Sequence, residues 1–394
     1  MSETPAGPTE EGQTNSSQQR GDSARTRTRS GRGSLIWTLP LLALLLVASG
    51  CASVAKPDGW APAAATGGTL YLSVDSGELA AVDAETFDRL WVFPDGDEAA
   101  CGDEDPQKRD LDGLYAAPLV AGGLLYFGAW DGNVYALDAE TGDCQWDYET
   151  DDPIIGGLTL NQDRIFVAST DGTLYALDPV TGDEIARTHA GDVWSRPLIS
   201  GGVLYVGTMD GAIKAFDPET LEQTWDEPFD INAGLLTDPT PSDGSILAGG
   251  IGETLYAINA ETGEEQWSFG ASSWFWGTLL VSEGIVYATN LDGTVYAVDL
   301  ETGERVWQYA TEAPVRAGAV FAGGVIIAVD DKGNIYGLDP ETGAEAWNPQ
   351  SADTKVLADP YVLSDGMVVV VARNGDVFLV DPEDGIPREQ DINE

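Results

Sequence analysis

One sequence motif recurs eight times along this chain, and this regularity constrains the fold more than any other feature. The copies align on a single anchor residue, which is Asp83, Asp138, Asp178, Asp217, Asn259, Asp299, Asp339 and Asp381. Successive anchors lie 55, 40, 39, 42, 40, 40 and 42 residues apart. A fixed period of this order is typical of propellers and solenoids, in which each copy is one supersecondary unit. We therefore expect one repeat domain rather than several unrelated ones.

Each copy has the pattern of four short antiparallel strands. Residues 131–146 and 292–307 open with Asp-Gly, a hairpin signal, because these residue types tolerate the positive φ of a tight turn. Alternating β-formers follow, then a Thr-Gly turn and a short strand that ends in Trp. Upstream, as in residues 197–208, Gly-Gly joins two apolar strands. Radial packing covers the faces of such sheets, so the sequence predicts an all-β fold, an eight-bladed β-propeller of four-stranded antiparallel blades over residues 67–394.

A tryptophan near the end of the repeat is predicted to pack one blade against the next, because its ring is large and apolar. Six copies have it, at Trp91, Trp146, Trp225, Trp267, Trp307 and Trp347. Ala186 replaces it in the third copy and Glu389 in the eighth. The glycine of the Thr-Gly turn is replaced by Phe87 in the first copy and Leu221 in the fourth, where we expect an altered turn.

The last copy lacks the strand that would carry its tryptophan. Residues 375–385 complete its central hairpin, and residues 386–394 form a polar tail. We expect residues 60–65, within a linker over residues 51–66, to supply the outermost strand of this copy and so to close the ring.

The start of the chain has the features of a secretory signal. An apolar run at residues 35–47 is short, is interrupted by Pro40 and is followed by the small residues 48–50. A cluster of four arginines lies just ahead of it, at Arg25, Arg27, Arg29 and Arg32. Residues 48–51 resemble a lipobox, so we expect residues 1–50 to be a leader, Cys51 to carry a lipid anchor and the protein to be extracytoplasmic. An uncleaved membrane anchor and a simple secreted form are the alternatives.

The other two cysteines lie far apart in sequence. An oxidising compartment permits a disulfide between Cys101 and Cys144, and two separate thiols are the alternative. Cys101 lies within an acidic insertion at residues 95–106, which is either a solvated loop or a calcium ligand set, although its spacing matches no EF-hand. With one histidine, His189, and no paired Cys-x-x-Cys, we expect no metal site.

The net charge of −47 excludes one class of partner. After residue 50 the chain holds 14 basic and 62 acidic residues. Nucleic-acid binding depends on clustered Lys and Arg that release counterions, so DNA and RNA are not expected partners. Most of the acidic residues fall in the repeated turns, where they are solvated. A salt-rich habitat or a basic partner is the alternative explanation.

The segments that lead into the first strand of each copy are predicted to line one mouth of the channel. They include residues 193–196, 235–238, 274–276 and 315–316. Aromatic residues and arginine are favoured at interface hot spots. Candidate partner or ligand contacts are therefore Trp194, Arg196, Trp274, Phe275, Trp276 and Arg316. Alternatively, these side chains fill the channel or pair with nearby aspartates.

The repeat resembles that of the pyrroloquinoline quinone (PQQ) dehydrogenases and of the BamB-like lipoproteins. The shared motif is Tyr-Ala-Leu-Asp-x-x-Thr-Gly-x-x-x-Trp, found for instance at residues 135–146, and the resemblance covers about residues 67–385. Quinone enzymes with this repeat use adjacent cysteines, a calcium ion and a catalytic aspartate. This chain has no Cys-Cys pair.

The resemblance therefore implies the non-enzymatic branch. We expect a monomeric propeller without a cofactor, anchored to the membrane only at Cys51, that binds other cell-envelope proteins as in BamB-like envelope or outer-membrane protein assembly. A PQQ-dependent or other redox enzyme, with PQQ and calcium, is one alternative. A receptor for glycans or small molecules is the other.

Overall fold

The fold consists of eight four-stranded antiparallel sheets. The computed structural model describes residues 59–74, 77–94, 101, 111–231 and 233–392, and the predicted leader and the predicted anchor Cys51 lie outside them. Within this part of the chain no helix is long and apolar enough to cross a membrane. The strands of the first four blades are β1 Ala64–Thr66, β2 Thr69–Val74, β3 Glu78–Asp83, β4 Arg89–Phe93; β5 Leu119–Ala121, β6 Leu124–Gly128, β7 Asn133–Asp138, β8 Cys144–Glu149; β9 Thr159–Asn161, β10 Arg164–Ala168, β11 Thr173–Leu177, β12 Glu184–His189; β13 Leu198–Ser200, β14 Val203–Gly207, β15 Ala212–Phe216 and β16 Phe229–Asp230.

The remaining four blades follow the same order. Their strands are β17 Thr240–Ser242, β18 Ser245–Gly249, β19 Thr254–Asn259, β20 Glu265–Gly270; β21 Leu280–Ser282, β22 Ile285–Asn290, β23 Thr294–Asp299, β24 Arg305–Ala310; β25 Val320–Ala322, β26 Val325–Val329, β27 Asn334–Leu338, β28 Gln350–Ser351; β29 Tyr361–Val362, β30 Val368–Val371, β31 Val377–Val380 and β32 Pro387–Gln390.

The first strand of each blade is the innermost. First strands of neighbouring blades contact one another, for example β1 with β5, β9 with β13 and β25 with β29. The second and third strands of each blade are its most deeply buried, and they supply most of the apolar clusters that fill the space between adjacent blades. The predicted all-β, eight-bladed propeller is confirmed.

The anchor residues stabilise the turn between the third and fourth strands. The Asp339 carboxylate accepts the backbone N–H groups of Glu341 and Thr342, at 3.1 and 2.8 Å. Asn259 does the same with its amide oxygen, at 3.0 and 2.9 Å. These side chains satisfy turn amides that would otherwise lack an acceptor within the protein. Their role in the repeat is structural.

Each of the six repeat tryptophans contacts the following blade. Its indole N–H donates a hydrogen bond to the carbonyl of the residue after the next anchor. The acceptors are Ala139, Pro179, Ala260, Leu300, Pro340 and Pro382, at 3.3, 3.1, 3.2, 2.8, 2.9 and 3.1 Å. The ring also covers the turn glycine of that blade, so closely that a Cβ on Gly343 would lie 2.6 Å from Trp307.

Two of the blade interfaces lack this pair of residues. Ala186 ends the third blade without an indole, and Leu221 replaces the turn glycine of the fourth; both belong to one apolar cluster. The eighth blade likewise ends without an indole, and Phe87 of the first blade is buried in the cluster between them. Phe87 and Leu221 keep the left-handed backbone of the other turns, with φ of 60° and 56°. The prediction of an altered turn is therefore wrong: the turn is kept, and the difference lies in the side chain that fills the interface.

The ring does not close through a shared strand. Residues 387–390 form β32, the fourth strand of the eighth blade, and pair with β31. Strand β1 pairs with β2 as the innermost strand of the first blade. The prediction that residues 60–65 complete the eighth blade is wrong, because the tail supplies that strand without a tryptophan. The first and eighth blades meet through apolar packing, which includes Leu70, Val369 and Ile392.

A disulfide joins Cys101 to Cys144, whose Cα atoms lie 5.1 Å apart. Cys144 is the first residue of β8. The bond therefore ties the insertion that follows the first blade to the outermost strand of the second. Both cysteines pack at the edge of the apolar cluster between these two blades.

Candidate functional site

The segments that lead into the innermost strands lie together on one end of the propeller, here called the entry face. Hairpins between the second and third strands lie on the same face and hydrogen bond to these entry segments. Trp130 N–H donates to the Gly113 carbonyl at 3.1 Å, and Met209 N–H donates to that of Asp192 at 2.7 Å. The same contact recurs in other blades, so the backbone holds the entry segments in equivalent positions.

Along each entry segment, side chains alternate between the blade core and the channel, as in any extended backbone. In most copies a buried residue comes first, as Val193 and Val315 do. In seven blades the next side chain lines the mouth of the channel; these residues are Trp60, Tyr115, Ile155, Trp194, Leu236, Trp276 and Leu357. In the seventh blade the equivalent residue is Arg316, which packs on Trp276.

The entry segments of seven blades enclose a cavity of about 360 Å³, here called the mouth cavity. Its size is within the range of ligand pockets. Its lining combines aromatic rings, small residues and a few charged groups. The aromatic and charged side chains are Trp60, Tyr115, Trp130, Trp194, Trp276, Arg196, Asp238 and Asp359.

One side of the mouth cavity is a row of aromatic rings. The Trp60 and Tyr115 rings meet edge to face, with centroids 4.6 Å apart. Tyr115 and Trp130 follow, at 5.2 Å. Trp194 lies farther around the ring, and its indole N–H donates to Asp192 at 3.0 Å. These contacts orient the rings while leaving each partly accessible.

The other side of the cavity is polar. Arg196 forms an ion pair with Asp238, with Nε and Oδ2 3.4 Å apart, and its backbone N–H donates to the same carboxylate at 2.7 Å. Asp359 accepts the backbone N–H groups of Thr278 and Gly318. Burial raises the pKa of Asp359 above its usual value, although these hydrogen bonds act in the opposite direction. The cavity thus contains two carboxylates and one guanidinium.

Arg316 contacts the same region through an aromatic ring. Its guanidinium carbon lies 4.5 Å from the centre of the Trp276 ring. The guanidinium also approaches Asp331, at 3.9 Å. A cation held over an indole face is a favourable arrangement. At this edge of the mouth, the chain's own guanidinium group makes that contact.

Of the six predicted contact residues, the structure brings four together. Trp194, Arg196 and Trp276 line the mouth cavity, and Arg316 packs on Trp276. Trp274 is exposed on the entry face outside the cavity. The prediction of Phe275 as a contact is wrong: its side chain is fully buried in the core because it occupies the inward position of its entry segment.

The sequence predictions missed three of the five aromatic side chains of the cavity lining, Trp60, Tyr115 and Trp130. Trp60 falls in the segment that was predicted to close the ring. Trp60 and Tyr115 precede the first strands of their blades at the same distance as Trp194 does, so alignment on that strand would have found them. Trp130 lies in a hairpin, at a position where the repeat has no characteristic residue.

The residues present do not match the quinone site of the related enzymes. That site needs two adjacent cysteines, whereas Cys101 and Cys144 are bonded to each other across 43 residues. No group of three or more His, Cys, Asp or Glu side chains placed to hold a metal ion occurs in the described part of the chain.

The fold and repeat define the class as a PQQ-like β-propeller. A family model described as "Outer membrane protein assembly factor BamB" matches residues 26–156, 152–230, 211–318 and 292–388. These matches span most of the chain, which therefore belongs to this family.

Curated relatives carry the same name. The BamB proteins of Burkholderia pseudomallei and Salmonella typhimurium are each 27% identical, over 38% and 50% of this chain and 41% and 49% of the relatives. A quinohemoprotein alcohol dehydrogenase of Pseudomonas putida is 30% identical over 41% of this chain and 20% of its own length. The matched stretches thus span less than half of these relatives.

Solved structures agree on the fold. BamB from Moraxella catarrhalis superimposes with a TM-score of 0.66 at 19% identity, over 81% of this chain and 93% of that one. The computationally designed Ika8 protein gives 0.67 at 18% identity, over 80% and 94%. At this identity the likeness shows the propeller architecture alone.

Proposed function

We propose that this protein is a non-catalytic scaffold of the cell envelope that binds other envelope proteins at the mouth cavity, in the manner of an outer-membrane protein assembly factor. One observation carries the proposal. In a member of the BamB family, the repeat residues pack blades together, whereas the aromatic and arginine side chains of the entry segments converge on one cavity. Such side chains dominate interface energetics when they surround a recess.

The proposal places the propeller outside the cytoplasm on a lipid at Cys51. The leader and this cysteine support it, as does the family. Growth with an alkyne-tagged palmitate followed by capture of the protein tests the anchor. Label should appear in the wild type and disappear in Cys51→Ser. Label that remains in Cys51→Ser contradicts anchoring at this residue.

Complementation tests the function itself. In the native host, deletion of the gene should lower the abundance of envelope proteins, and the wild-type gene should restore it. Trp194→Ala should fail to restore it while accumulating as folded protein. Phe321→Ala is the matched control, because Phe321 is an exposed aromatic side chain on the innermost strand of the seventh blade, just before the turn on the opposite face. Full restoration by Trp194→Ala contradicts the proposal.

The redox alternative has a direct test, motivated by the quinohemoprotein relatives. Purified protein is incubated with PQQ and calcium, and reduction of an artificial dye is followed with a panel of alcohols. The scaffold proposal predicts no dye reduction above that of free PQQ. Alcohol-dependent reduction that requires the protein contradicts it.

A further inference from the structure

The mouth cavity has a composition that favours one chemical class of occupant. Five aromatic side chains, contributed by four blades, line it. The face of an aromatic ring is electron-rich and attracts a cation placed within about 6 Å of its centre. The same faces also accept apolar groups and sugars, so the charged neighbours must decide between these occupants.

Carboxylates outnumber cations at the cavity. Asp238 and Asp359 line it, and Asp192 holds the indole of Trp194. Arg196 is the one basic side chain of the lining, and Asp238 already pairs with it. Asp359 accepts the backbone N–H groups of Thr278 and Gly318, and the Thr278 side chain also hydrogen bonds to it. Burial raises the pKa of Asp359, and an incoming cation would favour its ionised form, because no ion pair with a side-chain cation occupies this carboxylate in the described part of the chain.

The chain supplies its own example of the preferred contact. Arg316 lies over Trp276 at the edge of the cavity. Among the residues that the structure describes, this is the one cation–π contact. The rings of Trp60, Trp130 and Trp194 line the same cavity without such a cation, and they are the open positions.

Charge outside the cavity acts in the same direction. Beyond residue 50 the chain carries 14 basic and 62 acidic residues. A field of this sign concentrates cations near the surface and speeds their association. The turns opposite the entry face contribute much of this charge. Within the mouth cavity, the carboxylates of the lining act on a bound cation at short range.

We propose that the mouth cavity accepts a single cationic side chain, an arginine or a lysine, projecting from an exposed segment of the partner protein. The inference rests on the proposed function, because it names the chemistry of the partner at the same site. A cavity of about 360 Å³ holds one long side chain and its backbone, and not a folded domain. The guanidinium or ammonium group would lie over an open indole face of the lining, and the Asp359 carboxylate would attract it across the cavity.

A peptide pair separates charge from shape. The full-length protein, in detergent, is titrated with a fluorescently labelled, end-blocked peptide Gly-Ser-Arg-Ser-Gly, and with the same peptide in which neutral citrulline replaces arginine. Fluorescence anisotropy should give binding about ten-fold tighter for arginine, since cation–π contacts and a carboxylate each favour the charged form. Asp359→Asn, which keeps an oxygen acceptor for one of the two N–H groups, should remove most of this preference. Phe321→Ala should keep it.

Two results overturn the inference, and they can be told apart from failure of the proposed function. If the arginine and citrulline peptides bind equally while Trp194→Ala still fails in cells, the scaffold stands and the cationic occupant is wrong. The occupant is also wrong if an N-acetylglucosamine oligomer binds with a Trp194-dependent signal and the arginine peptide does not. If Trp194→Ala restores envelope proteins fully in cells, the proposed function fails, and this inference fails with it.

Discussion

Leu221 of the fourth blade shares a buried cluster with Ala186 of the third, at the place where most blade interfaces set an indole against a glycine. The change on one side matches the change on the other: the small alanine leaves room, and the leucine fills it. Phe87 plays the same part beside the eighth blade, in which Arg388, paired with Leu379, occupies the register position that tryptophan holds elsewhere, and not Glu389 as the sequence spacing predicts. The backbone accepts a left-handed conformation at both residues, which is unfavourable for a side chain with a Cβ.

This relationship predicts coupling between the two positions. Ala186→Trp alone should lower the free energy of unfolding by about 1–3 kcal/mol, because the indole has no space beside Leu221. Leu221→Gly alone should also destabilise, by leaving a void. The double substitution recreates the usual pair and should be more stable than the sum of the single effects predicts. Urea unfolding of the four proteins measures this coupling, and simple additivity contradicts the account.

The indole N–H bond between blades should have a measurable effect of its own. Trp307 is buried and donates to the Pro340 carbonyl, which also accepts the Tyr287 hydroxyl at 3.2 Å. Trp307→Ala should cost about 3–5 kcal/mol through the void that it leaves. Trp307→Phe should cost about 1–2 kcal/mol, because it retains ring area and the carbonyl keeps one donor. Equal losses in the two variants on urea unfolding argue against the hydrogen bond.

The anchor aspartates should make the turns sensitive to acid. The Thr342 hydroxyl, and then the backbone N–H groups of Thr342 and Glu341, lower the pKa of Asp339 below its usual value. A lowered folded-state pKa stabilises the folded state above the unfolded-state pKa, and this contribution is lost as the pH falls below about 4. Asp339→Asn should therefore melt below the wild type at pH 7, and the gap should narrow toward pH 2.

A charge-matched control accompanies the Asp339 substitution. Glu341→Gln removes the same charge from the same turn, and the Glu341 side chain is exposed. Its melting temperature should differ little from that of the wild type at either pH. If the two variants show the same pH dependence, the effect reflects net charge and not the turn hydrogen bonds.

The disulfide should stabilise the junction between the first two blades. It closes a loop of 43 residues, and crosslinks of this kind contribute about 2–4 kcal/mol, mainly by restricting the unfolded chain. Cys101→Ala and Cys144→Ala should each lower the melting temperature, and the double variant should be no worse than either. Titration of the unreduced, denatured protein should find no thiol at these two positions. A full thiol at both contradicts the bond.

The repeat made the fold predictable, because each strand and turn is encoded by the same short set of residues. Asp-Gly, the anchor and Thr-Gly give local turns whose chemistry needs no tertiary context. Closure was harder to predict. The segment at residues 387–390 has no tryptophan, and only its pairing with β31 identifies it as a strand.

The mouth was partly predictable for a related reason. Trp194, Trp276 and Arg316 stand out as aromatic or basic residues that the repeat does not use. Which of Trp274, Phe275 and Trp276 faces the channel depends on the register of the entry segment, and a shift of one residue reverses it. Trp130 reaches the cavity from a hairpin of another strand pair, so its position follows from the closed ring rather than from the local sequence.

Site-specific photo-crosslinking in native membranes tests the central claim most directly. A benzoyl-phenylalanine at Trp194 places the reactive group in the mouth cavity, and one at Phe321 places it on the opposite face. The account predicts a discrete adduct with an envelope protein from the Trp194 position, and none from the Phe321 position. Adducts of equal yield from both positions, or adducts from the Phe321 position alone, would contradict a partner site at the mouth.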